Sequence, residues 1–252
     1  MFRILKTRRE QRYRTMAYPD GPAPALPSRF AGRPVIGDAV CPEGCAACIE
    51  SCPTGAISIL SSAEGPMLDT GRCLFCRACE EACPKEVFRF TGDHRLAAAS
   101  RNDLFIGRGT PLPSAANALA AKLFRRSLKL RQVSAGGCNA CEADSNVLGT
   151  LAWDMGRFGI QFVASPRHAD GLLITGPVSD NMRLALEKTY AAVPSPKVVI
   201  AVGTCAVSGG PYIDHPEQHN GAASVVPVDL FIPGCPPHPL TILDGLLRFQ
   251  RG

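Results

Sequence analysis

Aromatic residues, charge and long apolar runs are all scarce in this chain. One tryptophan among 252 residues, and aromatics at 6%, leave Phe2 and Tyr13 too sparse to form a stacking platform beside the basic N-terminus. Nucleic acid is therefore not an expected partner. The longest apolar runs, such as Val198–Val202 and Leu172–Ile174, are strand-sized and far below the ~18 residues of a membrane-spanning helix. Met1 to Leu5 have no apolar core and basic residues follow at once, so a secretory leader is not expected. Neither G-x-x-x-x-G-K-S/T nor G-x-G-x-x-G occurs, which removes the usual phosphate cradles. What is left is 46% hydrophobic with mean hydropathy near zero, the make-up of a soluble globular protein with room for two small domains.

Cysteine, by contrast, is abundant and ordered. All twelve fall into three sets of four. Cys41, Cys45, Cys48 and Cys52 form C-x3-C-x2-C-x3-C-P, and Cys73, Cys76, Cys79 and Cys83 form C-x2-C-x2-C-x3-C-P, the run of bacterial two-cluster ferredoxins. The third set is dispersed: Cys138 and Cys141 as C-x2-C, then Cys205 in GTCA and Cys235 in PGCPP. Such clustering is a metal spacing rather than a disulfide scaffold. Twelve thiolates would hold three 4Fe-4S clusters with none left over, an inventory that implies electron transfer. Zinc is the competing metal, since four cysteines suit it as well, but the tandem ferredoxin spacing favours iron and sulfide.

In two-cluster ferredoxins the fourth cysteine of each run serves the other cluster. The expected sets are therefore Cys41, Cys45, Cys48 and Cys83 on one side, and Cys73, Cys76, Cys79 and Cys52 on the other. Pro53 and Pro84 turn the chain away at the two C-P junctions, and the small residues Ala46, Ala47, Ala78 and Ala82 let backbone amides approach sulfur. Around the third set, Gly136, Gly137, Gly203, Gly209, Gly210 and Gly234 allow the same close approach. Glu142 either couples a proton to reduction or simply opens a helix whose dipole favours an acid. His238 lies near the third set or at the surface, while His94, His168, His215 and His219 show no convincing paired metal spacing and are not expected to be ligands.

Read along the chain, residues 1–33 give a basic helix over residues 1–16 and a Pro/Gly-rich docking arm. Residues 34–92 hold the two cysteine runs, each followed by an apolar strand (Ala56–Leu60, Val87–Phe90), an internal repeat that predicts an α+β two-cluster ferredoxin domain. Residues 93–128 read as a linker and an amphipathic helix, Ser114–Leu128, built around Ala118, Leu119, Leu123 and Leu128. Residues 129–252 alternate strands (Leu130–Ser134, Gly159–Ala164, Gly171–Thr175, Lys197–Gly203, Val225–Ile232) with helices (Glu142–Arg157, Ser179–Ala192, Leu240–Arg251). This alternation predicts an α/β, flavodoxin-like doubly wound parallel sheet. Cys138, Cys205 and Cys235 then all fall just past the carboxyl ends of strands, where open α/β sheets build their sites.

The segments GGCNACE (136–142), SPRHAD (165–170), TGPVSDNM (175–182), GTCAVSGG (203–210) and PGCPPHP (233–239) resemble the small subunit of group 4, complex I-like nickel–iron hydrogenases. The same fold occurs in the complex I subunit that holds the last cluster before quinone. Residues 1–92, from MFRILKTRREQRYRTMAYP through both ferredoxin runs, resemble the polyferredoxin subunit of formate hydrogenlyase, so the chain looks like a fusion of the two. The complex I subunit carries two adjacent cysteines at the first ligand position; here Asn139 and Ala140 separate Cys138 from Cys141, the hydrogenase pattern.

The resemblance implies that Cys138, Cys141, Cys205 and Cys235 hold a proximal cluster against a large subunit bearing the nickel–iron centre. No C-x2-C pairs are spare for that centre here. It further implies membrane subunits of a complex I-like assembly as partners, and a formate dehydrogenase or ferredoxin-type donor. The expected location is the cytoplasmic face of the inner membrane. Two other readings are a complex I-like quinone oxidoreductase subunit without hydrogenase activity, and a free-standing carrier or redox sensor.

Overall fold

A computed structural model describes residues 2–12, 14–61 and 65–252; Tyr13, grouped with the basic segment by sequence, lies outside them. The chain opens with α1 (Phe2–Gln11), none of whose residues is buried. The arm that follows is extended and pinned at several points. Arg157 donates to the carbonyls of Met16 and Tyr18 (both 2.6 Å), and Arg77 to that of Phe30 (2.9 Å).

The cysteine-rich unit comprises β1 (Pro34–Ile36), α2 (Ala47–Glu50), β2 (Ile57–Ser61), β3 (Gly65–Asp69), α3 (Ala78–Ala82), β4 (Phe88–Phe90) and β5 (Phe105–Ile106). β1 pairs antiparallel with β4, and β2, β3 and β5 form a second antiparallel sheet. Each two-to-five-residue strand is too short to bury much alone, so the core is completed by Phe88, Leu68, Val87 and Ile36 packed around cysteines. The fold of this unit is built about its thiols.

The second unit holds α4 (Ala118–Leu123), β6 (Leu128–Ser134), α5 (Ala140–Val147), β7 (Ile160–Phe162), β8 (Gly171–Thr175), α6 (Asp180–Ala192), β9 (Val198–Val202), α7 (Thr204–Ser208), β10 (Leu230–Ile232) and α8 (Pro239–Arg251). Its five strands are all parallel, in the order β10-β9-β8-β6-β7. Counted within the unit, that is 2-1-3-4-5. The strands are apolar throughout because both faces are covered. Val198, Ile200, Val202, Leu230 and Ile232 face α4 and α8, while Val199, Ala201, Leu172, Ile174 and Phe231 face α6 and α7.

Three boundaries differ from the sequence pattern. The helix expected over Ser114–Leu128 is only α4: Asn117 caps it through Ala120 N–H (3.0 Å), and it ends before Arg125. Its buried residue is Ala120, with Phe124 buried just past its end; Leu119 and Leu123 are exposed, and Leu128 starts β6. The helix expected over Glu142–Arg157 stops at Val147, where Gly149 and Thr150 turn the chain. The strand expected from Val225 begins only at Leu230, beyond Pro227, which has no N–H for a ladder.

Residues 93–113 join the two units as a packed element. Ala97 and Ala98 are fully buried, and Ala98 pairs with Phe231 by two backbone hydrogen bonds of 3.0 and 2.8 Å. A buried hub ties arm, connector and α8 together. The Tyr18 phenol donates to Asp244 Oδ1 (2.8 Å), and Arg248 binds Asp244 Oδ2 (2.8 Å) and the carbonyls of Pro113 and Ala97.

Candidate iron–sulfur sites

The two ferredoxin-type runs cross over. Cys41, Cys45 and Cys48 line one cavity together with Cys83, and Cys73, Cys76 and Cys79 line another together with Cys52. The two cavities are of similar size, as an internal repeat requires. α2, which carries Cys48, packs on α3, which carries Cys79, and both cysteines are buried.

Local backbone conformation repeats as well. Gly44 before Cys45 and Phe75 before Cys76 both have positive φ (71° and 56°), as do Gly55 and Glu86 after the two C-P junctions (57° and 50°). The second copy thus places non-glycine residues where a side chain is strained. The compensation is a set of amides aimed at sulfur. Ala56 N–H donates to Cys52 Sγ (3.2 Å) and Val87 N–H to Cys83 Sγ (3.3 Å), the same four-residue span in each repeat; Phe75 N–H donates to Cys73 Sγ (3.2 Å). Donors of this kind stabilise thiolate and tune a bound cluster.

The third set gathers at the carboxyl ends of the parallel strands. Cys138 and Cys141 follow β6 at the start of α5, Cys205 sits in α7 after β9, and Cys235 follows β10. Their thiols feel one another: burial pushes Cys141 up, with Cys205, Glu142, Cys235 and Cys138 adding to it. Glycine makes the approach feasible. Gly203 has φ 89°, and a Cβ there would collide with Cys141 Sγ; one on Gly210 would lie 3.0 Å from Cys205 Sγ. Cys138 and Cys235 are exposed, so this tetrad opens to the surface.

Burial raises several of the thiols. Cys73 and Cys79 are each pushed up to about 12 and Cys205 to about 11; Cys48 moves the same way. Without a positive centre these buried groups stay protonated, so loading must displace protons. Among the described residues no three His, Cys, Asp or Glu side chains converge on a point where one metal ion could be held. The first two tetrads instead each line a cavity, a donor arrangement that fits a cubane cluster, and the third set gathers close enough for its thiols to feel one another.

The other candidates have defined places. Glu142 is buried, accepting from Ser134 Oγ (2.5 Å) and Thr175 Oγ1 (2.6 Å), with its second oxygen unpartnered. It thus sits in the first turn of α5 and also against the third tetrad. His238 caps α8, its Nδ1 accepting from Leu240 N–H (3.1 Å), and its ring meets Phe30 and Trp153 edge-on. His94 meets the Tyr18 hydroxyl (3.3 Å), and His219 pairs with Asp180 (2.7 Å).

Sequence reasoning missed the seam between the two units. Asp69, only 5% exposed, takes a two-point salt bridge from Arg101 (2.8 and 2.6 Å) and the Gly71 N–H. Thr204 and Ser208 of α7 reach across to the main chain of Cys73 and Gly71.

Comparison with known proteins matches these two units separately. Residues 40–87 match the 4Fe-4S dicluster domain, and residues 138–249 match the NADH ubiquinone oxidoreductase 20 kDa subunit. A probable membrane-bound hydrogenase subunit of Pyrococcus furiosus is 40% identical over 50% of this chain and 75% of its own length. Formate hydrogenlyase subunit 7 of Escherichia coli is 44% identical over 49% of this chain and 49% of its own. An NADH-quinone oxidoreductase subunit of Bacteroides thetaiotaomicron is 41% identical over 45% of this chain and 58% of its own. The chain thus spans about half to three quarters of the length of these three relatives. With its third tetrad at strand ends and a dicluster domain ahead of it, the chain belongs to the family of the NADH ubiquinone oxidoreductase 20 kDa subunit, as a non-catalytic iron–sulfur subunit of the complex I-like hydrogenase and quinone oxidoreductases.

Proposed function

We propose that this chain is the electron-relay subunit of a membrane-associated, group 4 nickel–iron hydrogenase of the formate hydrogenlyase type. Three 4Fe-4S clusters would be held by Cys41, Cys45, Cys48 and Cys83, by Cys52, Cys73, Cys76 and Cys79, and by Cys138, Cys141, Cys205 and Cys235. The clusters would supply one-electron storage and transfer; the protein would position them and aim amides at their ligands. The 2-1-3-4-5 sheet would be a flavodoxin-like scaffold.

One observation carries the reading: a third tetrad that uses separated cysteines, Cys138 and Cys141, and exposes Cys138 and Cys235 at the surface. A site left so open suits cover by a large subunit bearing the nickel–iron centre. α1, with Arg3, Lys6, Arg8 and Arg9 and no buried residue, suits docking to membrane subunits on the cytoplasmic face. No helix among the described residues is long and apolar enough to cross a membrane. Formate oxidation, or a ferredoxin-type donor, would feed the ferredoxin end.

The test is nickel per mole in the native complex captured through this chain. Stoichiometric nickel supports the hydrogenase reading. A complex that keeps its iron and its large subunit but holds no nickel refutes it and favours a quinone-linked enzyme, to which the similarity to the Bacteroides quinone oxidoreductase also points. Recovery of the chain alone, with its iron, would favour the free-standing carrier.

A further inference from the structure

The second and third tetrads meet at a single buried hydroxyl. Thr204, 1% exposed, stands between Gly203 and Cys205 at the start of α7. Its Oγ1 donates to the Cys73 carbonyl (2.8 Å) and lies 3.1 Å from the Gly234 carbonyl. Its own N–H donates to that Gly234 carbonyl as well (2.8 Å). A threonine near a helix start ordinarily bonds its local backbone. This one directs its only proton to carbonyls in two other segments, so the bond is shared between them.

Those carbonyls belong to ligand segments. Cys73 is in the second tetrad, Gly234 precedes Cys235 of the third, and Cys205 of the third follows Thr204 directly. The hydroxyl therefore stands between the main chains of both ligand sets. Its surroundings hold the contact in register. Ser208 Oγ, one turn on, donates to the Gly71 carbonyl (2.9 Å). Gly71 lies so near α7 that a Cβ there would be 2.8 Å from Val207 Cγ1, and Asp69 fixes Gly71 through its N–H. The first tetrad takes no part, since the α7 hydroxyls reach the ferredoxin unit at Cys73 and Gly71, in and beside the second run.

We propose that Thr204 is the positioning residue for electron exchange between the second and third tetrads, its hydroxyl being the hydrogen-bonded junction between their ligand main chains. The inference rests on the three-cluster reading above. The step moves one electron from a reduced cluster to an oxidised one; no bond forms or breaks, and the hydroxyl keeps its proton.

The experiment uses the full chain, purified anaerobically with its clusters, as wild type, Thr204→Val, Thr204→Ser and Gly71→Ala. Iron and sulfide are counted first, and a wild-type chain with only two clusters overturns both the underlying reading and this proposal. Electron spin resonance of the reduced proteins then follows the magnetic interaction between the second and third clusters, and flash photoreduction follows transfer between them. Thr204→Val, isosteric but without the proton, should keep its iron and slow that transfer severalfold, while transfer between the first and second clusters stays unchanged. Thr204→Ser should restore the wild-type rate, which a mere packing role would not do. Gly71→Ala, whose methyl presses on both Val207 of α7 and the Arg101 guanidinium without touching a ligand, should slow the same step and weaken the magnetic interaction. Wild-type transfer in a fully loaded Thr204→Val, or in Gly71→Ala should the valine variant lose iron, overturns the proposal.

Discussion

Replacing Cys83 by alanine should damage the cluster of the other cysteine run. In sequence Cys83 closes the second run, four residues after Cys79; in space it lines the cavity of Cys41, Cys45 and Cys48. The variant leaves three thiolates around that cavity and all four around its neighbour. Total iron should fall from about twelve per chain to between about eight and eleven, depending on whether a three-iron remnant persists. Val87 N–H loses its sulfur acceptor (3.3 Å), a further cost of about 1 kcal/mol. Iron analysis with Mössbauer spectroscopy measures the loss and its owner. Cys83→Ala and Cys45→Ala should remove the same spectral component, and Cys52→Ala and Cys76→Ala the other. If Cys83→Ala instead matches Cys76→Ala, the crossed arrangement is wrong.

Gly203→Ala should strip the third cluster alone, about four iron per chain, because φ 89° with ψ 152° is a region only glycine occupies readily and the new methyl meets Cys141 Sγ; full iron retention in that variant contradicts the geometry. Asp244→Ala leaves Arg248 and Tyr18 without their common partner. Removing one side of a buried pair costs 3–5 kcal/mol, and the partial exposure of Arg248 puts this case at about 3 kcal/mol; denaturant unfolding within error of wild type would show that the hub is not structural. Tyr18→Phe should cost about 1 kcal/mol at pH 8. Burial, and then the bond to Asp244, raise the Tyr18 phenol above its ordinary value. Its contribution is thus complete below the unfolded value of ~10 and fades as pH rises further, so wild type and variant should converge by about pH 11, and a constant gap across that range would refute the assignment.

The thiol chemistry was legible because cluster ligation is written in spacing. C-x2-C-x2-C-x3-C-P names its chemistry without a fold, and strand alternation alone puts Cys138, Cys205 and Cys235 at strand ends. The parallel strands were legible for a related reason: Val198–Val202 and Gly171–Thr175 are buried on both faces and so read as continuous apolar runs. Local periodicity failed where tertiary contacts decide. α4 is set by the Asn117 cap and by Phe124 reaching the core, not by a leucine stripe, and α5 ends where Gly149 turns. The Tyr18–Asp244 bond spans 226 residues, and the Thr204–Cys73 bond 131. No window of sequence contains both partners, so the seam between the units could be found only in three dimensions. The left-handed Phe75 and Glu86 were hidden because neither is a glycine; only alignment of the two repeats, with Gly44 and Gly55 at the matching places, would have exposed them.

Iron and acid-labile sulfide per chain, measured on anaerobically purified full-length protein and read with Mössbauer spectroscopy, test the central claim most directly. Three cubanes in three tetrads predict about twelve of each, all in cluster environments. About eight of each, or zinc bound in place of the third set, would contradict the account: the dispersed cysteines would then be no link in an electron relay.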